Sequence, residues 1–362
     1  MALSPIVGLL GSFMTSSNMA SNILFGSFQL ATANFLGLNP APVLGAQTAG
    51  GAIGAAICPG NIVLGCTTAG IMGQEGKVLQ KVLPITLAAA AIVGVKACKA
   101  AMPDTPMVLV FDTGFHFTMP EYAYMYAVDY AHYEKYKIRR YGAHGTSHKF
   151  VSQEAAKYLG KNIEDLKIVT CHLGNGSSIT AVKGGKCIDT SMGFTPLAGV
   201  PMGTRSGDID YAAAEYIARK EGMNVSEMLT YLNKKCGMLG VSGVSSDFRD
   251  LTAEAEKGNK RAQLALDMFS YACKKYVGAY AAAMNGLDCV VFTAGVGENT
   301  PVVRSAICKD MEYLGLEIDE EKNLSKNDGS IRDITGKNSK VRVLIIPTNE
   351  ELVIARETLA LV

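Results

Sequence analysis

Charge is what the opening of this chain lacks. From Met1 to Gln74 there is no Asp, Glu, Lys, Arg or His, whereas Lys96 to the end carries nearly every charge and all five histidines. A soluble domain without ionic groups would have no solvated face, so this absence points to burial in a bilayer. A strong charge bias is missing too. With 34 basic and 33 acidic residues the net charge is +1, which gives no electrostatic case for nucleic acid or for an anionic membrane surface as partner. No basic n-region precedes the apolar start, so no cleavable signal peptide is expected. The nine cysteines include no Cys-x-x-Cys and no pairing framework. They read as reduced, mostly buried thiols of an intracellular protein, with the charged part in the cytoplasm.

What the charge-free region does contain is small and hydroxylated residues among apolar ones, as in GSFMTSSNMASNILFGSFQ and AQTAGGAIGAAICPGNIVLG. Small residues let membrane helices approach closely, and Ser, Thr and Asn facing the interior of a bundle can line a pathway. Spans are expected near Met19 to Leu36, Pro42 to Ile57 and Ile62 to Met72. They fall short of the roughly 20 residues of a simple crossing helix, which favours broken or re-entrant segments. A glycine-rich soluble core segment is the alternative. Val82 to Val95 is a further apolar run, bracketed by Lys81 and Lys96.

After Lys96 the text changes to α/β. A short helix leads to a buried-type strand, Met107 to Phe111, ending on Asp112. A carboxylate at the carboxyl end of a strand serves either chemistry or turn capping. His144 and His148 have a spacing open to a metal pair, but the intervening glutamate of the zinc-protease motif is missing. Lys167 to Asp210 holds the clearest signal. Ile168 to Thr170 and Ile179 to Val182 flank Gly174-Asn-Gly-Ser-Ser178, the pattern of a hairpin with a glycine bend. Such a bend exposes backbone N–H groups, its serine hydroxyls add donors, and Arg205 offers a fork suited to phosphate oxygens; an ordinary hairpin is the alternative. Helices are expected over Ser147 to Leu159, Tyr211 to Glu221, Val225 to Lys235 and Arg261 to Met284. The strand Cys289 to Thr293 runs into Ala294-Gly-Val-Gly-Glu-Asn299 and a helix near Pro301, a ready anion site. Glu312 to Lys340 reads as a surface excursion, followed by a strand over Val341 to Ile346 and a closing helix over Leu352 to Leu361.

Two resemblances follow. FDTGFH, RYGAHGTSH, CHLGNGSS, DTSMGFTPLAGVPMGTRSGDID, VSSDFRD, VFTAGVGEN and IPTNEELVIARET resemble, in order and spacing, the acetokinase family. Residues 1–95, with the charged GQEGKVLQKVLP, resemble the C-terminal part of the lactate permease family, transporters of 2-hydroxy acids. The first resemblance implies an α/β fold with the ATPase lobes of actin and sugar kinases. Residues 96–150 would be a remnant of the first lobe and residues 151–362 a complete second lobe. It implies ATP, ADP and Mg2+ as cofactors, acetate or another short carboxylate as substrate, acetyl phosphate as product, and a homodimer through the C-terminal lobe. By the same resemblance Arg205 would contact the transferring phosphoryl and carboxylate oxygens, and His144 would hydrogen-bond that group. Asp112 would lie near the magnesium or the phosphoryl, with Glu350 as the magnesium ligand. His172, Asn175 and Gly176 would cradle the outer phosphates. Asp247, Phe248 and Arg249 would sit around the adenosine, Gly295, Gly297, Glu298 and Asn299 would close the site, and Pro196 would face the acetate methyl.

The departures are in the first lobe. The family's leading strand with an Asn-x-Gly-Ser-Ser-Ser type loop, its His-Gly-Gly segment and its Pro-x-His-Asn-Pro segment are not found; Pro84 is followed by ITLAAAAIVGV. The expectation is therefore a kinase whose second lobe folds while turnover is very low. The other readings are a permease fragment associated with the membrane, or a nonfunctional chimera of the two.

Overall fold

The computed structural model describes residues 18–55 and 103–362, together with isolated positions elsewhere in the first hundred. These group into two compact units, Met1–Val108 and Leu109–Val362.

The first unit holds two packed helices, Asn18–Phe35 and Pro40–Ala55. The first ends where Gly37 takes a left-handed φ of 65°. The second starts on the Asn39 carboxamide, which accepts the Ala41 N–H at 3.1 Å, with Pro40 in the first turn. Polar groups lie inside the pair: Gln29 Nε2 donates to Gln47 Oε1 at 3.5 Å and Gln47 Nε2 to Ser21 Oγ at 3.3 Å. Large apolar side chains point outward, with Ile23 72% and Phe28 66% exposed. At 18 and 16 residues the helices are about 27 and 24 Å long. Among the described residues no helix is long and apolar enough to cross a membrane, so the expected crossings are not found as such. The expected span Ile62 to Met72 and the run Val82 to Val95 lie largely outside the described residues, whereas Lys96, Cys98, Lys99 and Ala100 of the helix expected after Lys96 are described and helical.

The second unit is built on a six-stranded sheet: β1 (Lys167–Leu173), β2 (Ser177–Lys183), β3 (Lys186–Thr190), β4 (Cys289–Thr293), β5 (Arg332–Asp333) and β6 (Arg342–Ile345), in the order β3-β2-β1-β4-β6-β5. The expected hairpin is β1–β2, paired from Lys167 with Lys183 to Leu173 with Ser177. β1, β4 and β6 are mutually parallel, so their carboxyl ends share one edge. Side chains alternate across β1. Val169, Cys171 and Leu173 enter the core under the 25-residue helix Lys260–Met284, whose Phe269, Cys273, Val277 and Tyr280 keep three- and four-residue spacing. Ile168 enters the opposite core, with Phe150, Val151 and Ala155 of the helix Gly145–Leu159. Thr170 and His172 share that second face, which brings them under the start of the same helix.

Three expectations need correction. Met107–Phe111 forms no strand; Leu109 and Phe111 are 61% and 68% exposed, and no strand among the described residues pairs with the segment. Apolar β-type residues make a strand only when a neighbour completes the ladder. The turn after β4 is a short helix, Ala294–Asn299. Glu312 to Lys340 is more than a surface excursion, because it supplies β5 and buries Leu316, Asn323 and Ile334. The seven described cysteines are all free.

Candidate active site

The loops leaving the carboxyl ends of β1, β4 and β6 carry Gly174–Gly176, Ala294–Asn299 and the turn into the helix Glu350–Leu361. In open α/β sheets this edge is where ligands bind. Asp112 caps the helix Gly145–Leu159: its Oδ2 accepts the His144 N–H at 2.5 Å, and its Oδ1 accepts the Thr146 hydroxyl at 2.9 Å. The capping role and the site role therefore fall on one carboxylate. Thr146 Oγ1 also lies 3.1 Å from Glu350 Oε2. One hydroxyl has one proton, so two carboxylates converge where only one can be satisfied by it. Two carboxylates with a hydroxyl are hard oxygen donors of the kind magnesium takes alongside its waters, so Asp112, Thr146 and Glu350 fit that ion. Among the described residues no group of three or more His, Cys, Asp and Glu forms a metal cluster.

Arg205 stands on a loop that returns on itself, Met202 N–H donating to the Arg205 carbonyl at 3.0 Å. Gly237, at φ 60°, lies so close that a Cβ there would overlap the carbonyls of Met202 and Arg205. The Arg205 guanidinium has no carboxylate partner among the described residues; Nη1 reaches the Pro196 carbonyl at 3.4 Å. It meets the glycine bend directly. A Cβ on Gly176 would lie 3.2 Å from Arg205 Nη1 and 3.6 Å from His144 Nε2. Asn175 is exposed, and its carbonyl accepts the Gly203 N–H at 3.1 Å.

Histidines line the floor. His144 and His172 stack with ring centroids 4.0 Å apart. His172 Nδ1 is 2.8 Å from Ser147 Oγ, which accepts the Thr348 hydroxyl at 2.8 Å. His148 lies between Thr170 Oγ1 and Ser178 Oγ, both at 2.7 Å, and Ser178 also meets His144 Nδ1 at 2.8 Å. The His144–His148 spacing thus reports a shared serine rather than a metal pair. His116 bridges the Ala143 carbonyl and Cys187 Sγ. The expected serine donors are used internally, Ser177 donating to the Gly174 carbonyl at 3.0 Å.

Burial holds all four of these histidines neutral. It lowers His116 to about 4 and His172 to about 3, and it lowers His144, with Arg205 adding to the effect and Asp112 opposing it; His148, completely buried, is driven well below its ordinary value. Unfolded histidines take up protons from about pH 6.5 downward, whereas folded His116 and His172 do so only near pH 4 and 3. Stability is therefore full above pH 6.5 and falls as pH drops toward 4, on the order of 3 kcal/mol from His116 alone. Thermal melts between pH 7.5 and 4.5 are expected to show a falling Tm below pH 6.5; a flat profile contradicts it.

Asp247 caps the helix Phe248–Glu256 and pairs with Arg249 at 2.6 Å, which holds its carboxyl down at about 2. Phe248 is interior, its ring 4.7 Å from that of Phe269, so it offers backbone rather than side chain to a ligand. Glu298 Oε1 accepts the Ala294 N–H at 2.9 Å, Asn299 Nδ2 donates to the Gly295 carbonyl at 2.9 Å, and Gly295 is open. Gly297 packs against the β1 backbone, and its carbonyl accepts from the buried Arg304 at 2.8 Å. Pro196 is exposed beside Arg205. Thr146, Ser147 and Arg304 have no role in the sequence reading, where His148 figures only in a metal-pair spacing and Ser178 only as a phosphate-facing hydroxyl. Alternation along β1 and β2 is the signal that places Thr170, His172 and Ser178 on one face.

The mixed sheet, with its ligand edge, glycine bend, unpaired arginine and carboxylate pair, defines an α/β ATPase-type phosphotransferase of the actin and sugar-kinase kind. The chain belongs to the acetokinase family, whose model matches residues 74–356; these enzymes are phosphotransferases with a carboxyl group as acceptor. It is 60% identical over 271 residues to an acetate kinase of Acetivibrio thermocellus, covering 75% of this chain and 67% of that one, and 59% identical to one of Treponema denticola over 75% and 68%. The chain thus spans about two thirds of these relatives. A crystal structure of Porphyromonas gingivalis acetate kinase superposes with a TM-score of 0.74 at 44% identity, over 80% of this chain and 73% of that one. A Francisella tularensis propionate kinase gives 0.70 at 43%, over 80% and 74%. Residues 1–102 match the model of the L-lactate permease family, overlapping the first match.

Proposed function

We propose that the Leu109–Val362 unit is the nucleotide- and phosphoryl-binding part of an acetate kinase-like enzyme, converting ATP and acetate to ADP and acetyl phosphate, and that turnover by this chain is impaired. The observation that carries the first part is the convergence of Arg205, His144 and Gly176 beside Asp112, Thr146 and Glu350. A planar, metaphosphate-like group spreads negative charge over its oxygens, and an unpaired guanidinium held at that point offsets it. Magnesium, held by Asp112 and Glu350, would neutralise phosphate charge. His172, Asn175 and Gly176 would take the outer phosphates, with Asp247, Arg249, Gly295 and Asn299 around the rest of the nucleotide. Pro196 would meet the methyl of acetate; one more methylene changes such contacts by only about 1–3 kcal/mol, so short carboxylates are the substrate class.

The unpaired Met107–Phe111 segment, with Leu109 and Phe111 exposed, supports impairment, because the sheet that would position the opposite side of the site has no other strand among the described residues. Acetyl phosphate formation from ATP, acetate and Mg2+ is expected to lie far below ordinary kinase turnover; a rate of roughly 10 to 1000 per second overturns the impairment.

A second reading rests on the polar-inside, apolar-outside packing of Asn18–Phe35 against Pro40–Ala55. Buried interhelical amides under an apolar exterior suit a hydrocarbon environment, and the charge-free sequence agrees. The full chain is expected to sediment with membranes and to need detergent for release. Recovery in the aqueous fraction contradicts this.

A further inference from the structure

The chain has two Asn-Gly pairs, Asn175-Gly176 in the bend between β1 and β2 and Asn285-Gly286 after the helix Lys260–Met284. In such a pair the glycine nitrogen can attack the asparagine carboxamide, because no Cβ shields the approach. Both asparagines are exposed, and neither side chain makes a hydrogen bond among the described residues; Asn175 Oδ1 lies against Gly203, where a Cβ would overlap it. Their glycine nitrogens differ. Gly286 N–H donates to the Ala281 carbonyl at 2.9 Å, in the turn that ends the helix. Gly176 N–H has no acceptor among the described residues, because other groups close its bend: Gly174 N–H donates to the Gly176 carbonyl at 3.1 Å, and Ser177 Oγ to the Gly174 carbonyl at 3.0 Å.

An amide nitrogen attacks once it has lost its proton, and the charge then sits largely on the oxygen of the same peptide. For Gly176 that oxygen is the Asn175 carbonyl, which accepts the Gly203 N–H at 3.1 Å. The Arg205 guanidinium stands alongside, its Nη1 3.2 Å from where a Cβ on Gly176 would lie. A donor and a cation both favour the negative peptide. The Asn285 carbonyl is likewise supplied, by Lys167 Nζ at 2.6 Å, so the free nitrogen is what separates the two pairs.

We infer that Asn175-Gly176 is a site of self-modification that oxyanion binding holds in check. The Gly176 nitrogen bonds to Asn175 Cγ, the Cγ–Nδ2 bond breaks, and ammonia leaves with the proton of the Gly176 nitrogen. Water then opens the cyclic imide at either carbonyl, giving aspartate or isoaspartate at position 175. Either product puts a carboxylate on the bend, and isoaspartate also lengthens the main chain by a methylene, so anion binding beside Arg205 weakens. A bound anion accepts the Gly176 N–H, so the occupied bend is protected and the empty one ages. The protection rests on the reading of this bend as a phosphate site; the reaction itself does not.

The test uses the full chain, kept in mildly alkaline buffer with and without saturating inorganic phosphate and then digested for mass spectrometry. The peptide holding Asn175 is expected to gain one mass unit about tenfold faster than the peptide holding Asn285, the difference that one hydrogen bond makes to a rate. Phosphate is expected to slow the first by about tenfold and to leave the second unchanged. The modified fraction, separated by its added charge, is expected to melt cooperatively and to bind phosphate about tenfold more weakly in calorimetry. Equal rates at the two pairs, no slowing by phosphate that does bind, or a modified fraction that binds as well as the parent overturns the inference and leaves the phosphate-site reading standing. A fresh, folded chain that binds no phosphate overturns that reading and the protection with it, and the rates at the two pairs still decide the reaction.

Discussion

Arg205→Ala is expected to weaken inorganic phosphate binding by about 10- to 100-fold while leaving Tm within a few degrees of the parent. A hydrogen bond to a charged group is worth about 1.5–3 kcal/mol, and a forked guanidinium supplies two. Stability should barely move, because Arg205 has no ion pair among the described residues, and its Nη1 makes only long contacts, to the Pro196 carbonyl at 3.4 Å and to Met202 Sδ at 3.6 Å. Any residual acetyl phosphate formation should fall by a further 100- to 1000-fold or so, as when a donor to a developing anion is removed. Arg205→Lys keeps the charge and loses the fork, so it should recover only part of the affinity. Calorimetry with phosphate and a thermal melt separate the two effects. Lost binding together with a collapsed Tm would mean that Arg205 is structural; unchanged binding would remove it from the site.

Arg304→Ala is expected to cost about 3–5 kcal/mol, lowering Tm by roughly 10 °C for a unit of this size. Arg304 is fully buried, and burial lowers it to about 10. Its partners are neutral: Nε donates to Asn323 Oδ1, Nη2 to the Asn323 carbonyl and Nη1 to the Gly297 carbonyl, all at 2.8 Å. Truncation strands three buried acceptors at about 1–3 kcal/mol each, part of which water entering the cavity returns. Gly297 belongs to the helix Ala294–Asn299 at the ligand edge, so nucleotide affinity should weaken as well. Thermal melts of the purified variant give the answer directly, and a shift under 2 °C would show that the guanidinium is not holding this corner.

Where a feature depends on neighbours in sequence, the reading from residues came close. The glycine bend between β-branched runs is the β1–β2 hairpin, Cys289–Thr293 is a strand over those same residues, and the apolar stripe expected from Arg261 is the helix Lys260–Met284. Features that depend on distant partners did not follow. Met107–Phe111 has strand composition, but a strand is a property of a pair. Ser177 and Ser178 have phosphate-loop chemistry, yet their protons are committed to Gly174 and the histidine file once the sheet folds. Thr146 and Arg304 carry no local signal at all. Thr146 matters because the helix Glu350–Leu361 starts beside it, more than 200 positions away.

The central claim is that the Leu109–Val362 unit retains a phosphate-binding site built from Arg205, the glycine bend and the Asp112–Glu350 pair. Titration of the full chain with ATP, with and without Mg2+, tests it most directly. Saturable one-site binding is expected in the roughly micromolar to millimolar range usual for enzyme substrates, strengthened by Mg2+. No saturable binding by a chain that still melts cooperatively would contradict it.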